Sequence, residues 1–454
     1  MIFPCAAARP EGAPNMTSHF MYTRRELLRG GATLASSLLW LPTIMRTVPL
    51  EGRLRLASVG VGGMGSSDLG QFLEHPNVDV VALADIDSGQ LAGAAKRAPG
   101  AETFVDWREM LDKFGDDIDA VNVATPDHTH AAVSMSAINL GKHVYCQKPL
   151  THTVYEARQL RLAAAERKVV TQMGIQVHSY SAYRTAVKII RDGAIGKIKA
   201  VHSWSNKSWG YEGAKPIPSE VPKGVDWDRW IGTAPMRAYS EGHYHPGNWR
   251  RWRDFGCGTM GDMGIHILDP VANAIDMGLP TSVISLSKPS PPKDSHAMSN
   301  RVEYTFAGTD LVVPGFKLTW YDGSEGPDFS DWPVESIPGQ GSMFIGEKGF
   351  MLLPHIGDPQ LLPEREFTDY EIPTQPGANH YHLWVDACLG EGATTAGFDY
   401  AGPLTEVLLL GVIANRFPTQ RLEFDADELA ITNFTQAHAL LRSEYREGWA
   451  VEGL

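Results

Sequence analysis

Gly60, Gly62 and Gly65 follow an apolar, β-branched run and stand in the spacing Gly-x-Gly-x-x-Gly, with Gly63 and Met64 between the last two. A loop without side chains lets the backbone approach a pyrophosphate at the N-terminus of the helix that follows. Alone, the motif is weak evidence. It is strengthened by Asp85, about twenty residues beyond Gly65, where a carboxylate at a strand end accepts hydrogen bonds from a ribose 2′,3′-diol and repels a 2′-phosphate. The implied chemistry is dinucleotide binding, with NAD favoured over NADP. Two more segments, Thr125-Pro126-Asp127-His128-Thr129-His130 and Gln147-Lys148-Pro149-Leu150, each follow a predicted strand. Carboxyl ends of parallel strands are where open α/β sheets bind ligands. Farther on, Asp262 and His266 are spaced i, i+4 and so share one face of a helix.

The elements that must position these residues alternate in a regular way. Apolar runs at 54–61, 78–84, 120–124, 143–146 and 169–173 are separated by amphipathic stretches at 66–74, 90–96, 107–114, 130–140 and 154–166. Such repetition predicts a Rossmann-type, doubly wound parallel sheet over residues 51–175. After a helix at 183–192 the pattern changes to longer, more alternating strands, among them 199–205, 302–306, 311–320 and 341–345. Residues 176–454 therefore read as an α+β domain with a large, mostly antiparallel sheet. Helical stretches at 383–389 and 403–414 are expected to pack back on the first domain. The fold class is α/β with this second domain appended.

At this point a resemblance becomes plain. The Thr-Pro-x-x-x-His segment ending at His130, the x-Lys-Pro-Leu segment at Lys148, and the run Gly256-Cys257-Gly258-Thr259-Met260-Gly261-Asp262-Met263-Gly264-Ile265-His266 resemble the Gfo/Idh/MocA family of nicotinamide-dependent sugar oxidoreductases. The resemblance implies Lys148, Asp262 and His266 as the catalytic set. Lys148 would lie near the nicotinamide ring and hydrogen-bond the hydroxyl being oxidised, while His266 takes its proton. It also implies cofactor contacts from Gly60, Gly62, Gly63, Met64, Gly65, Asp85, Thr125, Pro126, His130, Gln147 and Lys148. Gln147 stands where the family usually has Glu, an amide that keeps the shape and removes a charge able to pair with Lys148 or touch the cofactor. Asp269 reads as structural.

Trp204, Tyr244, His245, Trp249 and Arg253 cluster in the segments leading to Asp262. Aromatic faces with a few fixed polar groups suit a carbohydrate substrate, and they suit an ordinary core or subunit interface equally well. His178 and His202 could join His266 around a metal, but imidazoles are more often hydrogen-bonded structural groups, so no metal is expected.

With 40 basic and 53 acidic side chains, the net charge of −13 disfavours nucleic acid and anionic membrane surfaces as partners. Beyond residues 1–50, Cys146, Cys257 and Cys388 form an odd, widely spaced set that supports neither a disulfide framework nor a zinc site, and they read as buried thiols. In residues 1–50, Thr23-Arg24-Arg25-Glu26-Leu27-Leu28-Arg29 precedes about a dozen uncharged residues, an h-region too short to span a bilayer. This resembles a twin-arginine signal, so a periplasmic or otherwise exported protein is expected, with no other membrane association. An exported enzyme has no NAD pool to draw on. It would keep its cofactor bound and pass electrons to a second acceptor, or return the hydride in a redox-neutral, glycoside-cleaving cycle through a keto-sugar. A non-catalytic, cofactor-bound carbohydrate-binding protein is the alternative of another class. By the same resemblance a homo-oligomer, dimer or tetramer, is expected through the large sheet.

Overall fold

The computed structural model describes residues 52–287 and 293–454. The twin-arginine segment lies outside the described residues. From Leu54 the chain forms β1 (Leu54–Val59), α1 (Gly63–Leu73), β2 (Val78–Ala84), α2 (Ser88–Arg97), β3 (Glu102–Phe104), α3 (Trp107–Phe114), β4 (Ala120–Val123), α4 (Asp127–Asn139), β5 (His143–Gln147), α5 (Val154–Arg167) and β6 (Thr171–Gly174). The six strands pair in the order β3-β2-β1-β4-β5-β6, all parallel. Order reverses between β1 and β4, which opens a crevice at their carboxyl ends. Strand β3 was not anticipated: it has three residues, too few to show a pattern.

Local chemistry explains several boundaries. Asp87 caps α2 by accepting from the Gly89 and Gln90 amides, and Thr153 and Glu156 form a capping box at the start of α5. Strands β4 and β5 are buried along their whole length, as expected for a sheet covered on both faces.

The second domain runs through α6 (Ser181–Arg191), β7 (Ile198–Ser205), α7 (Trp227–Ile231), a π-helical turn (Met260–Gly264), α8 (Ile265–Ile275), β8 (Ser282–Ser285), β9 (Asn300–Thr305), β10 (Val312–Asp322), β11 (Gln340–Gly346), β12 (Phe350–Pro354) and β13 (Gln360–Leu362). It continues with α9 (His380–Cys388), α10 (Phe398–Ala414), β14 (Arg421–Asp425), β15 (Ala430–Ile431) and α11 (Thr435–His438). Nine strands form one sheet in the order β13-β12-β11-β7-β10-β9-β8-β14-β15. It is mostly antiparallel, with β7 and β10 pairing in parallel at its centre.

Helices α9 and α10 do return to the first domain. Phe72 of α1 and Tyr145 of β5 pack with Tyr381, Trp384 and Val385 of α9. Arg158 of α5 forms a two-pronged pair with buried Glu406 of α10, both contacts at 2.8 Å. Among the described residues no helix is long and apolar enough to cross a membrane. Cys146, Cys257 and Cys388 are free, buried thiols.

Candidate active site

A cleft of about 560 Å3 lies over the carboxyl ends of β1, β2, β4 and β5. Gly60 turns the chain out of β1 at φ 77°, a conformation only glycine adopts readily, and a Cβ there would fall 2.7 Å from the Ala124 carbonyl oxygen. Gly65 lets α1 close on the loop, since its Cβ would collide with the Gly60 carbonyl oxygen at 1.9 Å. Gly62, Gly63 and Met64 line the cleft, while Gly65 packs beneath it.

Asp85 ends β2 and accepts from the amides of Val61 at 2.8 Å and Asp87 at 2.9 Å, so the carboxylate is fixed at the rim of the glycine loop. Burial raises its pKa, with the backbone bonds pulling the other way. At the end of β4, Thr125 and Pro126 line the cleft, and Thr125 Oγ1 is buried without a partner. A glycine cradle, a fixed carboxylate and an orphaned hydroxyl fit a dinucleotide whose chemistry is hydride exchange.

His130 faces two carbonyls, Thr125 at 2.7 Å and Pro149 at 2.8 Å. Burial lowers it to about 4, so the ring is neutral and donates to one of them. It ties the two strand-end loops together. Gln147 does not reach toward the Lys148 ammonium. Its Nε2 donates to both oxygens of Asp68 on α1, at 3.0 and 2.9 Å, and Tyr381 donates to the same carboxyl at 2.9 Å. Asp68 is fully buried and raised to about 7 by that burial. Here the neutral amide meets an acidic side chain from another element, a pairing that no local sequence pattern announces.

Across the cleft the chain reaches Asp262 in the π-helical turn, an irregularity frequent at functional sites. Lys148 Nζ donates to the Asp262 carbonyl at 2.9 Å and to its Oδ1 at 3.0 Å. Trp209 Nε1 donates to Oδ2 at 2.6 Å, and Arg250 Nε stands 3.5 Å from Oδ1. Burial would raise the Asp262 carboxyl, but the Lys148 and Arg250 charges and the two hydrogen bonds hold it far below the usual carboxylate range. His266 lies in the first turn of α8 and lines the same cleft. Its Nδ1 is buried without a partner, and burial with the neighbouring Lys148 charge holds the ring neutral, well below the ordinary imidazole value. Lys148, Asp262 and His266 thus converge, although Asp262 and His266 belong to a π-turn and an α-helix instead of one regular helix.

Of the residues expected to meet a carbohydrate, His245 and Trp249 line the cleft. Three do not. Trp204 packs against Trp332 beside the second sheet and donates to the Pro338 carbonyl at 2.7 Å. Tyr244 is buried among Trp227, Trp252 and Phe255. Arg253 points behind the cleft wall, where Nε donates to the Ser295 carbonyl at 2.8 Å. Aromatic composition could not separate a stacking face from a core. His178 bonds Asp269 at 2.8 Å, with Tyr400 on the same carboxylate at 2.7 Å, a structural network. His202 bonds the Tyr321 hydroxyl at 3.0 Å. Among the described residues no cluster of three ligating side chains could hold a metal.

Arg250, Asp127 and Gln176 line the cleft without being singled out by the sequence reading. Arg250 stacks 4.2 Å over Trp249 while facing Asp262. Asp127 accepts from the Cys257 amide at 3.0 Å, and burial raises it to about 7. An Arg next to Trp249, in the run Trp249-Arg250-Arg251-Trp252, is a weak signal that only tertiary contact gives meaning.

These features define a nicotinamide-dependent oxidoreductase fold. Residues 54–175 match the model of the oxidoreductase family with an NAD-binding Rossmann fold, and residues 184–336 match that family's C-terminal alpha/beta domain. Together these matches span more than half of the chain, which belongs to the Gfo/Idh/MocA family. It is 26% identical over 187 residues to levoglucosan dehydrogenase of Pseudarthrobacter phenanthrenivorans, an alignment covering 41% of this chain and 40% of that enzyme. It is 29% identical over 191 residues to 2,7-anhydro-N-acetylneuraminate hydratase of Mediterraneibacter gnavus, covering 42% and 45% respectively. The chain thus spans less than half the length of either. Among solved structures, the WlbA dehydrogenase from Chromobacterium violaceum, in complex with NADH and UDP-GlcNAcA, superposes with a TM-score of 0.61 at 17% identity. That superposition covers 84% of this chain and 98% of the other. It supports the fold.

Proposed function

We propose that the protein is an oxidoreductase that moves hydride between a carbohydrate hydroxyl and a tightly held NAD. The observation that carries this reading is the convergence of Lys148, Asp262 and neutral His266 on the cleft that also holds the glycine loop and Asp85. NAD, when bound, accepts the hydride. Lys148 donates a hydrogen bond to the reacting oxygen, and Asp262 with Trp209 fixes the ammonium so that it does not wander. His266 takes the hydroxyl proton, which requires the imidazole to be neutral at working pH. Trp249 and Trp230 offer apolar faces along the cleft for sugar C–H groups.

The twin-arginine segment supports export with the cofactor already loaded. Such a protein turns over only if a second acceptor takes the electrons or if the hydride returns to the sugar. In the second case the ketone acidifies the adjacent C–H, the glycosidic oxygen leaves with a proton, water adds, and the hydride comes back. The similarity to a protein named a hydratase favours keeping this redox-neutral route as the second reading.

One experiment tests both. Purified protein, with no added NAD, is incubated with a panel of glycosides, and keto-sugar and aglycone are measured. Keto-sugar formed only with an electron acceptor supports the dehydrogenase; aglycone released without one supports the cleaving cycle. Denatured protein that releases no nicotinamide cofactor, and native protein that binds none, would end both readings.

A further inference from the structure

Arg253 belongs to the segment that walls the cleft, yet it faces away. It opens into a second cavity of about 80 Å3, whose polar lining includes His152, Thr153, Arg253, His296, Arg416 and Ser443. Leu409, Val412 and Ile413 of α10 form its apolar side. Among the described residues neither arginine has an ion-pair partner, and Arg253 spends only Nε on a hydrogen bond. Asp294 is the acidic group that acts on Arg253, and it makes no ion pair with it. Burial and the charge of Arg416 lower Arg253 to about 10, and burial lowers Arg416 as well. His152 and His296, lowered by burial to about 4 and about 3, are neutral and add no further positive charge. Two arginines therefore line one small, partly apolar cavity with no carboxylate among the described residues paired to either.

We propose that this cavity binds a small oxyanion, a phosphate or a group of like size and charge, between Arg253 and Arg416. Guanidinium forks match tetrahedral and planar oxyanions in pairs of hydrogen bonds, and the volume admits one such group but no nucleotide. The site braces the cleft from behind. Arg253 lies between Trp249 and Arg250, which line the cleft, and Cys257, whose amide holds Asp127. Arg416 follows α10. An anion bridging the two fastens the cleft wall to that helix.

The test is equilibrium dialysis of the full-length, NAD-loaded protein against inorganic phosphate, with sulfate and acetate as competitors and chloride holding ionic strength constant. Loading with NAD keeps the glycine loop filled, so its phosphate site does not contribute. The expected result is a single saturable site, weakened tenfold or more in Arg416→Gln and in Arg253→Gln and unchanged in the exposed, remote Arg365→Gln. Competition by sulfate but not acetate assigns a tetrahedral ligand; competition by both assigns oxyanions generally. Arg416 sits on the rim, so its variant keeps the test interpretable if Arg253→Gln fails to fold. Absence of saturable binding, or equal binding in Arg416→Gln, would overturn the proposal. Because the readout is the difference between variants, it stands apart from any measurement of sugar oxidation.

Discussion

Lys148 donates from one ammonium to both the main-chain carbonyl and the carboxylate of Asp262, at 2.9 and 3.0 Å, with each side chain less than 15% exposed. The two residues come from different domains, so this pair closes the cleft and aims the ammonium at once. Removing one partner from a buried pair strands the other charge at a cost of about 3–5 kcal/mol. Lys148→Met is expected to lower stability by that order and turnover by about 100- to 10,000-fold. The double variant Lys148→Met/Asp262→Asn should recover most of the melting temperature and none of the turnover. Recovery of both would show that the pair serves folding alone.

His266 is held neutral by burial and by the Lys148 charge. A base already neutral near pH 7 gives no acid limb at the ordinary imidazole value of about 6.5. Turnover should therefore stay level from pH 8 down past 6.5, with the loss from His266 protonation appearing well below. His266→Gln should cost about 100- to 10,000-fold at every pH in that range. The check is a pH series read through reduction of the bound nicotinamide. A wild-type limb centred near 6.5 would remove His266 from the role.

Much of this site is legible in the amino-acid sequence. Glycine spacing, a carboxylate after the second strand and the Lys-Pro motif each report a local backbone need, and local needs leave local patterns. The Rossmann sheet was readable for the same reason, since its strands are continuous apolar runs. Trp204, Tyr244 and Arg253 show the limit. Their types suited a sugar site, but which side of a wall a side chain faces depends on residues far away in sequence, here Trp332, Trp227 and Ser295. Asp68 was invisible too, because its partners Gln147 and Tyr381 come from β5 and α9.

Asp68 and Gln147 make a prediction about the departure from Glu-Lys-Pro. Restoring glutamate with Gln147→Glu would set two carboxyls in a buried site where Asp68 is already raised to about 7. One must remain protonated, so the variant should lose about 1–3 kcal/mol near pH 8 and regain stability as the pH falls through 7. Asp68→Asn in the same chain should rescue it. Thermal unfolding at several pH values reads the effect, and a Gln147→Glu protein as stable as the parent at pH 8 would contradict the pairing.

Buried imidazoles set the acid limit of the fold. Burial lowers His128 and His296 to about 3, and His130, His143, His152, His355 and His380 to about 4. Below about 6.5 the unfolded chain takes up these protons and the folded chain does not, so stability is lost as pH falls. Asp68, Asp127 and Asp322, raised to about 7, act in the opposite sense from pH 7 down to about 4. The imidazoles outnumber them. Melting temperature should decline steadily between pH 6.5 and 4.5, and a rise across that interval would show that the carboxyls dominate.

Asp85 is expected to decide between cofactors. It is anchored by the Val61 and Asp87 amides, so its position does not depend on the ligand. A carboxylate hydrogen-bonded to a ribose diol contributes about 1.5–3 kcal/mol, equivalent to roughly 10- to 150-fold in affinity. Asp85→Asn retains an acceptor for one of the anchoring amides while removing the charge that repels a 2′-phosphate. NAD should bind about 10- to 150-fold more weakly in this variant, while NADP binding improves or holds. The measurement is the ratio of the two cofactors retained after expression and dialysis, compared with the parent protein. If the ratio does not move toward NADP, the carboxylate serves the glycine loop and takes no part in reading the ribose.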